Sequence, residues 1–317
     1  MNIVVLDGYT LNPGDLDWQP LAARGNLRVY DRTPEEQIPE RAQKAEILFT
    51  NKTVLSGSTL EKLPALRYIG VLATGYDVID IEAARQRNIA VANVPGYGAE
   101  SVAQMVFAHI LHITNNVAQH SHDVIAGGWG KTSDYCYWLT PQVELTDKVM
   151  GIIGYGRIGR ATAKLARAFQ MKLLIHTRTI PKDLPDNSRH VELEELLATS
   201  DIITLHCPLT EQTRQLINPG TIGLMKDSAI LINCSRGQLV DEEALAQALN
   251  SGRIRAAGLD VLSEEPVRQA NPLIGADNCT ITPHIAWATR EARTRLLNIA
   301  AQNLQAFLEG KSTNRII

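Results

Sequence analysis

The chain has 317 residues, of which 44% are hydrophobic and 21% are charged, and its formal net charge is −3. This length exceeds that of a usual single core, so we expect two domains, and the balanced charge leaves no basic field for nucleic acid or an anionic membrane surface. No apolar run approaches the roughly 18 residues of a membrane span. The four cysteines are scattered without C-x-x-C spacing, which is typical of a cytoplasmic protein without disulfides or structural zinc.

Short runs rich in Val, Ile and Leu alternate with segments of helical period along almost the whole chain. This alternation is typical of parallel sheets built from βαβ units. Five candidate strands precede residue 96, and the first lies where a signal peptide would stand: NIVVLDG, LRVYD, EILFTN, LRYIGVLA and IAVANVP. Six more follow residue 147: KVMGIIGYG, KLLIHT, DIITLHC, AILINCS, AAGLDVL and CTITPH. The predicted fold class is α/β, with two doubly wound parallel-sheet (Rossmann-like) domains.

Two long helices are predicted outside these strand series. One runs from Glu100 to about Gln119, and the other runs from Thr289 to Leu308 with apolar residues at helical spacing. Because the last helix belongs to neither strand series, we expect it to pack on the N-terminal domain. The predicted domains are therefore residues 1–98 plus 286–317, which would bind substrate, and residues 99–285, which would bind a dinucleotide, with a cleft between them.

A glycine-rich motif, Gly154-x-Gly156-x-x-Gly159, lies between a predicted strand and a predicted helix. In this context the first glycine permits a tight turn, the second lets the backbone approach a pyrophosphate, and the third allows close helix–strand packing. The helix N-terminus would then direct its free amides at the phosphates. The alternative is a tight turn that binds no ligand, and the strand–helix context argues against it.

The following strand ends in His176-Thr177-Arg178, where an Asp or Glu would bind the adenosine ribose of NAD. Without that acid there is no repulsion against a 2′-phosphate, and Arg178 supplies the opposite charge. The cofactor is therefore NAD(H) or NADP(H), with a slight preference for NADP(H). The alternative is that Arg178 is a solvated surface residue and that Thr177 tolerates either cofactor.

Charged side chains follow several strand ends of the second series, and such ends meet at one edge of a parallel sheet. Arg236 follows AILINCS, where a carboxylate ligand would provide charge-assisted hydrogen bonds of roughly 1.5 to 3 kcal/mol each; the alternative is an ion pair with a neighbouring loop. Glu265 and His284 also follow strand ends. A carboxylate on one imidazole nitrogen fixes the tautomer and favours the imidazolium, which suits a general acid.

The remaining histidines do not predict a metal site. His109 and His112 are spaced i, i+3 on the long helix, and His120 and His122 follow them. No cysteine or carboxylate joins them at ligand spacing, so packing or an interface is the better interpretation. We assign no metal.

These motifs together resemble the D-isomer-specific 2-hydroxyacid dehydrogenases, and within that family the glycerate dehydrogenase or hydroxypyruvate reductase branch. The resemblance covers nearly the whole chain through GYGRIG, NCSRGQLVD, GLDVLSEEP and TPHIAWAT, with LATGYDVIDIEAA and NVPGYGAESVAQ upstream. It implies that Arg236 holds a 2-oxo acid, that Glu265 tunes His284, and that His284 exchanges the proton with the C2 oxygen. It also implies that Asp260 orients the nicotinamide carboxamide.

The resemblance implies the binding residues as well. The cofactor-binding set is Val102, Gly154, Tyr155, Gly156, Arg157, Ile158, Gly159, Thr177, Arg178, Cys207, Pro208, Thr213, Cys234, Ser235, Asp260 and Ala286. The substrate-binding set is Asn51, Lys52, Thr74, Gly75, Trp138 and Trp287, with the backbone amides around Thr74 and Gly75 on the substrate carboxylate. A homodimer through the dinucleotide-binding domain is also implied. The aromatic segment 126–144, predicted to be a cleft loop or an oligomer contact, would suit that interface, and its Trp138 could reach the partner's pocket.

Three hypotheses remain to be weighed on these residues. The first is an oxidoreductase for a small D-2-hydroxy acid and 2-oxo acid pair, D-glycerate with hydroxypyruvate or glycolate with glyoxylate. The alternative is an NAD(H)-sensing, corepressor-like binding protein on the same fold, although such proteins usually carry extra terminal segments. A methyltransferase would not explain why Arg236, Glu265 and His284 occur in this order.

Overall fold

The computed structural model describes residues 1–267 and 270–317. The chain divides into two compact units, the first formed by Met1–Gly98 with Trp287–Ile317 and the second by Ala99–Ala286. None of the helices in the described residues is both long and apolar enough to cross a membrane.

Each unit contains one sheet in which all neighbouring strands are parallel. The first has the order β2-β1-β3-β4-β5 and the second the order β12-β11-β10-β9-β6-β7-β8. The strands of the first unit are β1 Asn2–Val5, β2 Asn26–Val29, β3 Ile47–Thr50, β4 Tyr68–Val71 and β5 Ala90–Ala92. Those of the second are β6 Val149–Ile153, β7 Lys172–His176, β8 Ser188–His190, β9 Ile202–Leu205, β10 Ile230–Asn233, β11 Ala256–Leu259 and β12 Cys279–Ile281.

Helices connect the strands in both units. Those of the first unit's N-terminal part are α1 Gly8–Leu11, α2 Gln19–Ala22, α3 Ile38–Ala42, α4 Gly57–Glu61 and α5 Ile81–Gln86. The second unit contains α6 Ala99–Asn115, α7 Val117–Ile125, α8 Arg157–Ala168, α9 Leu193–Thr199, α10 Pro219–Leu224 and α11 Glu242–Asn250. The last helix, α12 Arg290–Leu308, belongs to the first unit and starts after the side-chain cap of Thr289.

The central strands are largely apolar because both faces of each sheet are covered, whereas the edge strands β2 and β8 carry polar residues. In β1, Ile3 and Val5 belong to the cluster that includes α12, whereas Val4 belongs to the cluster on the other face, together with Leu6 just after the strand. The second sheet repeats this arrangement, with Ile152 on one face and Ile153 on the other. Each unit therefore has a core layer on both sides of its sheet.

Two predicted elements differ from the structure. The helix predicted to reach Gln119 ends at Asn115, because Asn116 adopts a left-handed conformation with φ of 46° and a new helix, α7, begins after it. Asparagine tolerates this conformation better than most residues. The second sheet has seven strands and not six, since β8 pairs with β7 at the edge.

Candidate active site

The glycine-rich turn joins β6 to α8 in the second unit. Gly154 has φ of +95°, and a Cβ there would lie 2.5 Å from the Cys207 amide nitrogen. A Cβ on Gly159 would lie 2.2 Å from the Gly154 carbonyl oxygen, so the helix packs directly on the turn. A Cβ on Gly156 would meet no heavy atom within 4 Å, which leaves open space beside this backbone.

The N-terminus of α8 is free to accept an anion. Its N-cap is Gly156, no side chain caps the first turn, and that turn contains no acidic residue. Tyr155 lies beside the turn with the Arg160 guanidinium 4.5 Å from its ring centroid, and Arg157 is exposed while Ile158 is half-buried. Uncapped amides, the helix dipole and the open space at Gly156 fit the pyrophosphate of a dinucleotide.

The end of β7 carries the residues expected near the adenosine ribose. Thr177 is half-buried and Arg178 is exposed. The Thr177 carbonyl accepts a hydrogen bond from His190 Nε2 at 3.0 Å, and the rings of His176 and His190 stack with centroids 6.4 Å apart. The loop that presents Arg178 is therefore held by β8, the strand that the sequence analysis missed.

Four predicted cofactor residues lie at the ends of β9 and β10. Burial raises the pKa of both Cys207 and Cys234, so both remain thiols. Ser235 Oγ donates to the Cys207 carbonyl at 3.0 Å and so links the two strand ends. Thr213 Oγ1 donates to the carbonyl of the exposed Pro208 at 2.7 Å.

Two further predicted cofactor residues lie in the core. Val102, on α6, and Ala286 are buried in one core cluster of this unit.

His284 and Glu265 form the one acid–base pair that the sequence predicted. The imidazole Nδ1 lies 2.6 Å from Glu265 Oε2, and the two side chains are 28% and 36% exposed. Because an ionised carboxylate only accepts, Nδ1 carries the proton and donates it, which leaves Nε2 for a reacting group. Glu265 Oε1 accepts from the Leu262 amide at 3.1 Å, so the carboxylate is itself held in place.

The backbone around His284 is held by Asp260. His284 has φ of +53° and its amide donates to the Asp260 carbonyl at 2.8 Å. The Asp260 side chain is 1% exposed, and its carboxylate accepts from the amides of Ile285 at 2.9 Å and Ala286 at 2.8 Å. Asp260, which the resemblance places on the nicotinamide, therefore also fixes the loop that carries His284.

Arg236 follows β10 on the same edge of the sheet. Its Nη1 donates to the Ser235 carbonyl at 2.8 Å, and its own carbonyl accepts from Asn233 Nδ2 at 2.9 Å. A Cβ on the next residue, Gly237, would lie 1.9 Å from the Leu262 carbonyl carbon. Because β10, β11 and β12 are neighbours, Arg236, Asp260 and His284 follow three adjacent strand ends.

The first unit contains most of the predicted substrate residues at the carboxyl ends of β3 and β4. The buried Asp7, at the end of β1, accepts from the amides of Asn51 at 2.8 Å, Lys52 at 2.6 Å and Thr53 at 2.8 Å. Asn51 Nδ2 donates to the Leu72 carbonyl at 2.6 Å. The amides of this loop are thus already bound by Asp7, while the Lys52 side chain is exposed.

The second substrate loop of this unit follows β4. Thr74 Oγ1 donates to the Val94 carbonyl at 2.9 Å, and the Thr74 carbonyl accepts from Asn93 Nδ2 at 2.6 Å. Thr74 is exposed and Gly75 is half-buried. Asn93 therefore fixes the segment whose amides are predicted to bind a carboxylate.

The two tryptophans predicted near the substrate differ in their surroundings. Trp287 is half-buried in the core of the first unit, where it makes an edge contact with Tyr97 at a centroid distance of 6.2 Å. Trp138, in the second unit, is 68% exposed. It lies in the aromatic segment, which is anchored by the hydrogen bond from Tyr137 to Asp123 at 2.5 Å.

His109 and His120 pack within the fold, whereas His112 and His122 are exposed. His109 is 2% exposed and lies 3.2 Å from Thr282 Oγ1, and His120 Nε2 accepts from the Leu139 amide at 3.0 Å. Across the part of the chain that the structure describes, no group of three or more His, Cys, Asp or Glu side chains is placed to hold a metal ion.

Sequence reasoning missed the roles of Asp7, Asn93 and Thr282. Each lies at or just after the carboxyl end of a strand and bonds a loop of that edge. A polar residue at the end of a buried strand was the available signal. That signal predicts a catalytic or binding role only for side chains with suitable chemistry. Asp7, Asn93 and Thr282 instead hold other residues in place.

The fold and this edge define a class, a dinucleotide-binding oxidoreductase with an imidazole as its acid–base group. The family model for "D-isomer specific 2-hydroxyacid dehydrogenase, NAD binding domain" matches residues 107–286. The chain is 50% identical to the hydroxypyruvate reductase of Blautia hydrogenotrophica over 99% of both chains. It is 42% identical to the glycerate dehydrogenase of Methylorubrum extorquens, over 89% of this chain and 88% of that one.

A solved structure shares the fold of the whole chain. An acyclic imino acid reductase in complex with NADPH and D-Arg aligns over 100% of both chains with a TM-score of 0.86 and 33% identity. The chain belongs to the family of D-isomer-specific 2-hydroxyacid dehydrogenases, and the predicted resemblance is confirmed. As a member it is an oxidoreductase that acts on a CH–OH group and transfers hydride between a nicotinamide cofactor and a 2-hydroxy acid/2-oxo acid pair.

Proposed function

We propose that the enzyme interconverts hydroxypyruvate with D-glycerate, or glyoxylate with glycolate. The similarity to a hydroxypyruvate reductase and a glycerate dehydrogenase supports this substrate class. The observation that carries the chemistry is the contact of 2.6 Å between His284 Nδ1 and Glu265 Oε2 on the dinucleotide-binding sheet.

The proposed roles of the residues follow from this contact. The nicotinamide, when bound, supplies or accepts the hydride at C2 of the substrate. His284 gives the proton on Nε2 to the C2 oxygen in reduction and takes it back in oxidation, while Glu265 stabilises the imidazolium through Nδ1. Arg236 binds the 2-oxo acid through charge-assisted hydrogen bonds.

We further propose that the first unit binds substrate and the second binds the dinucleotide. Backbone amides around Thr74 and Gly75 take the substrate carboxylate. This assignment is supported by Asp7, because its carboxylate already accepts the amides of Asn51, Lys52 and Thr53. The exposed Lys52 side chain adds a positive charge to that loop.

We propose that the cofactor-binding residues predicted from the sequence bind NADP(H) with a slight preference over NAD(H). The exposed Arg178 and the lack of an acid at 177 or 178 support this preference. The imino acid reductase structure was solved with NADPH, which is compatible with a fold of this type accepting the 2′-phosphate.

A homodimer through the second unit and a cytoplasmic location complete the proposal. Several exposed apolar side chains support the dimer: Val117, Ile125, Trp129, Tyr135 and Trp138. All five lie between residues 117 and 138, and patches of exposed apolar side chains often mark protein–protein contacts. Sedimentation at several protein concentrations tests the dimer, and Trp138→Ala tests whether this residue reaches the partner's substrate pocket.

One steady-state panel tests the activity. Glyoxylate, hydroxypyruvate, pyruvate and a branched 2-oxo acid are each assayed with NADH and NADPH. We expect the highest kcat/KM for hydroxypyruvate or glyoxylate, with NADPH at least equal to NADH. A branched acid that outperforms both small substrates would overturn the substrate assignment, and a clear NADH preference would overturn the cofactor assignment.

A further inference from the structure

The buried His109 reaches toward the loop that carries the catalytic histidine. It lies on α6, is 2% exposed, and its Nε2 is 3.2 Å from Thr282 Oγ1. The helix can approach β11 because residue 258 is glycine, where a Cβ would lie 2.7 Å from His109 Cβ. The sequence thus leaves space for an imidazole at this point in the core.

The directions of the hydrogen bonds follow from the groups involved. Thr282 Oγ1 lies 2.6 Å from Asp260 Oδ1, and the hydroxyl must donate its one proton there because the carboxylate only accepts. The Thr282 oxygen therefore accepts from His109, whose proton is on Nε2.

The charge state of His109 agrees with this direction. Burial lowers the pKa of His109, the nearby charge of Asp260 opposes that shift, and His112 adds to it. The ring is therefore neutral at neutral pH, with a single proton to donate.

This chain of hydrogen bonds ends at the His284 loop. Asp260 accepts from the amides of Ile285 and Ala286, and its carbonyl accepts from the His284 amide. His284 itself has φ of +53°, a conformation that is strained for a non-glycine residue and persists only where neighbouring contacts enforce it. The loop is held in this conformation by Asp260, and Asp260 is oriented by Thr282.

We propose that Thr282 and His109 are positioning residues for proton transfer: the chain His109 Nε2–H to Thr282 Oγ–H to Asp260 fixes the backbone of His284 and so the direction of its imidazole. This inference rests on the proposed function, in which His284 exchanges the proton. Neither residue touches the substrate or the dinucleotide in this assignment. They act on His284 through Asp260, whose carboxylate accepts both from Thr282 and from the amides that follow His284.

The test compares Thr282→Val, which removes the hydroxyl at nearly constant volume, with Thr282→Ser, which keeps it. We expect Thr282→Val to lower kcat by about tenfold, which corresponds to about 1.4 kcal/mol of transition-state stabilisation, because Asp260 loses the hydroxyl that orients it. KM for the 2-oxo acid and the dinucleotide Kd, measured by fluorescence titration, should stay within about twofold of wild type. Thr282→Ser should restore kcat, which a role in filling space would not predict.

A matched control lies on the helix that carries His109. Thr114 is fully buried and its hydroxyl donates to the Ile110 carbonyl at 2.8 Å, away from Asp260. Thr114→Val should leave kcat unchanged while lowering Tm to a similar extent as Thr282→Val. A second pair, His109→Gln, which keeps a donor, and His109→Leu, which does not, should show the same order of kcat, and His109→Leu should add little to Thr282→Val.

The outcomes separate this inference from the proposed function. If wild type reduces a 2-oxo acid but Thr282→Val keeps its kcat, or Thr282→Ser fails to restore kcat, the positioning role is refuted and the function stands. If wild type turns over no 2-oxo acid with either nicotinamide cofactor, the proposed function is refuted, and with it the inference.

Discussion

At the carboxyl edge of each sheet, a buried aspartate accepts hydrogen bonds from the backbone amides of a loop. In the first unit Asp7 binds the amides of residues 51–53, and in the second Asp260 binds those of Ile285 and Ala286. Both aspartates are almost fully buried. The loop held by Asp260 carries a histidine paired with a carboxylate, whereas the loop held by Asp7 carries Asn51 and Lys52. A buried carboxylate thus holds the loop in both units, and the two loops differ in the side chains that they carry.

This comparison separates two kinds of sensitivity. A change to the paired imidazole should remove chemistry without affecting the fold, because the side chains of His284 and Glu265 are partly exposed. A change to either buried aspartate should affect the fold first, because several amides would lose their acceptor.

The largest effect is expected from His284→Gln, at the edge where Asp260 holds the loop. Glutamine can still approach Glu265 but cannot exchange a proton near neutral pH, so kcat should fall by about 10²- to 10⁴-fold. Dinucleotide Kd and Tm should change little, and both are measured on the same preparation. A variant with near-normal kcat would show that proton transfer does not pass through this imidazole.

In the first unit, Asp7→Asn should lower the free energy of unfolding by about 2–3 kcal/mol. The new amide group would direct its own N–H donors at backbone N–H groups, leaving at least one of them without an acceptor. Urea unfolding measures the loss, and KM for the 2-oxo acid should rise while dinucleotide Kd stays constant.

Asp80→Asn is the matched control for that change. Asp80 caps α5 by accepting from the Ala83 amide at 2.9 Å, and it is exposed. Asparagine is an equally good N-cap, so stability should be unchanged. An equal loss of unfolding free energy in Asp7→Asn and Asp80→Asn would mean that the three amides bound by Asp7 do not contribute more than a single helix cap.

The glycine turn offers a pair that separates binding from packing within the second unit. Gly159→Ala would place a Cβ 2.2 Å from the Gly154 carbonyl oxygen, so it should cost about 1–3 kcal/mol of stability and weaken dinucleotide binding. Gly156→Ala meets no atom within 4 Å, so Tm should hold while dinucleotide Kd rises. Retained affinity in Gly156→Ala would contradict a pyrophosphate beside this backbone.

The fold was largely predictable because the strands are buried on both faces and so appear as continuous apolar runs. The exception, β8, has the sequence Ser-Arg-His and pairs only at the edge through backbone hydrogen bonds, so it carries no apolar signal. The break at Asn116 was missed because the apolar spacing continues into α7. The spacing of apolar residues reports which side chains are buried. The edge strand β8 depends instead on backbone pairing, and the break at Asn116 depends on a single left-handed residue.

The site was predictable only as far as strand ends converge on one edge. His284, Glu265 and Arg236 could be placed together by that rule. The bond from His109 to Thr282 joins residues 173 positions apart, and it depends on how α6 lies against β11 and β12. No local pattern encodes that distance, so the groups that hold the loop were visible only in the structure.

The smallest expected effect is at the end of β7, where Arg178→Ala should lower the kcat/KM ratio of NADPH to NADH by about two- to fivefold. The effect is small because Arg178 is exposed, and exposed charge pairs are worth about 0.2–1 kcal/mol. Raising the salt concentration should shrink the NADPH preference of wild type toward that of the variant. Arg189→Ala is the control, because Arg189 is also exposed but already pairs with Glu195 at 2.9 Å. If both variants shift the ratio equally, general positive charge at this end of β7, and not Arg178 in particular, sets the preference.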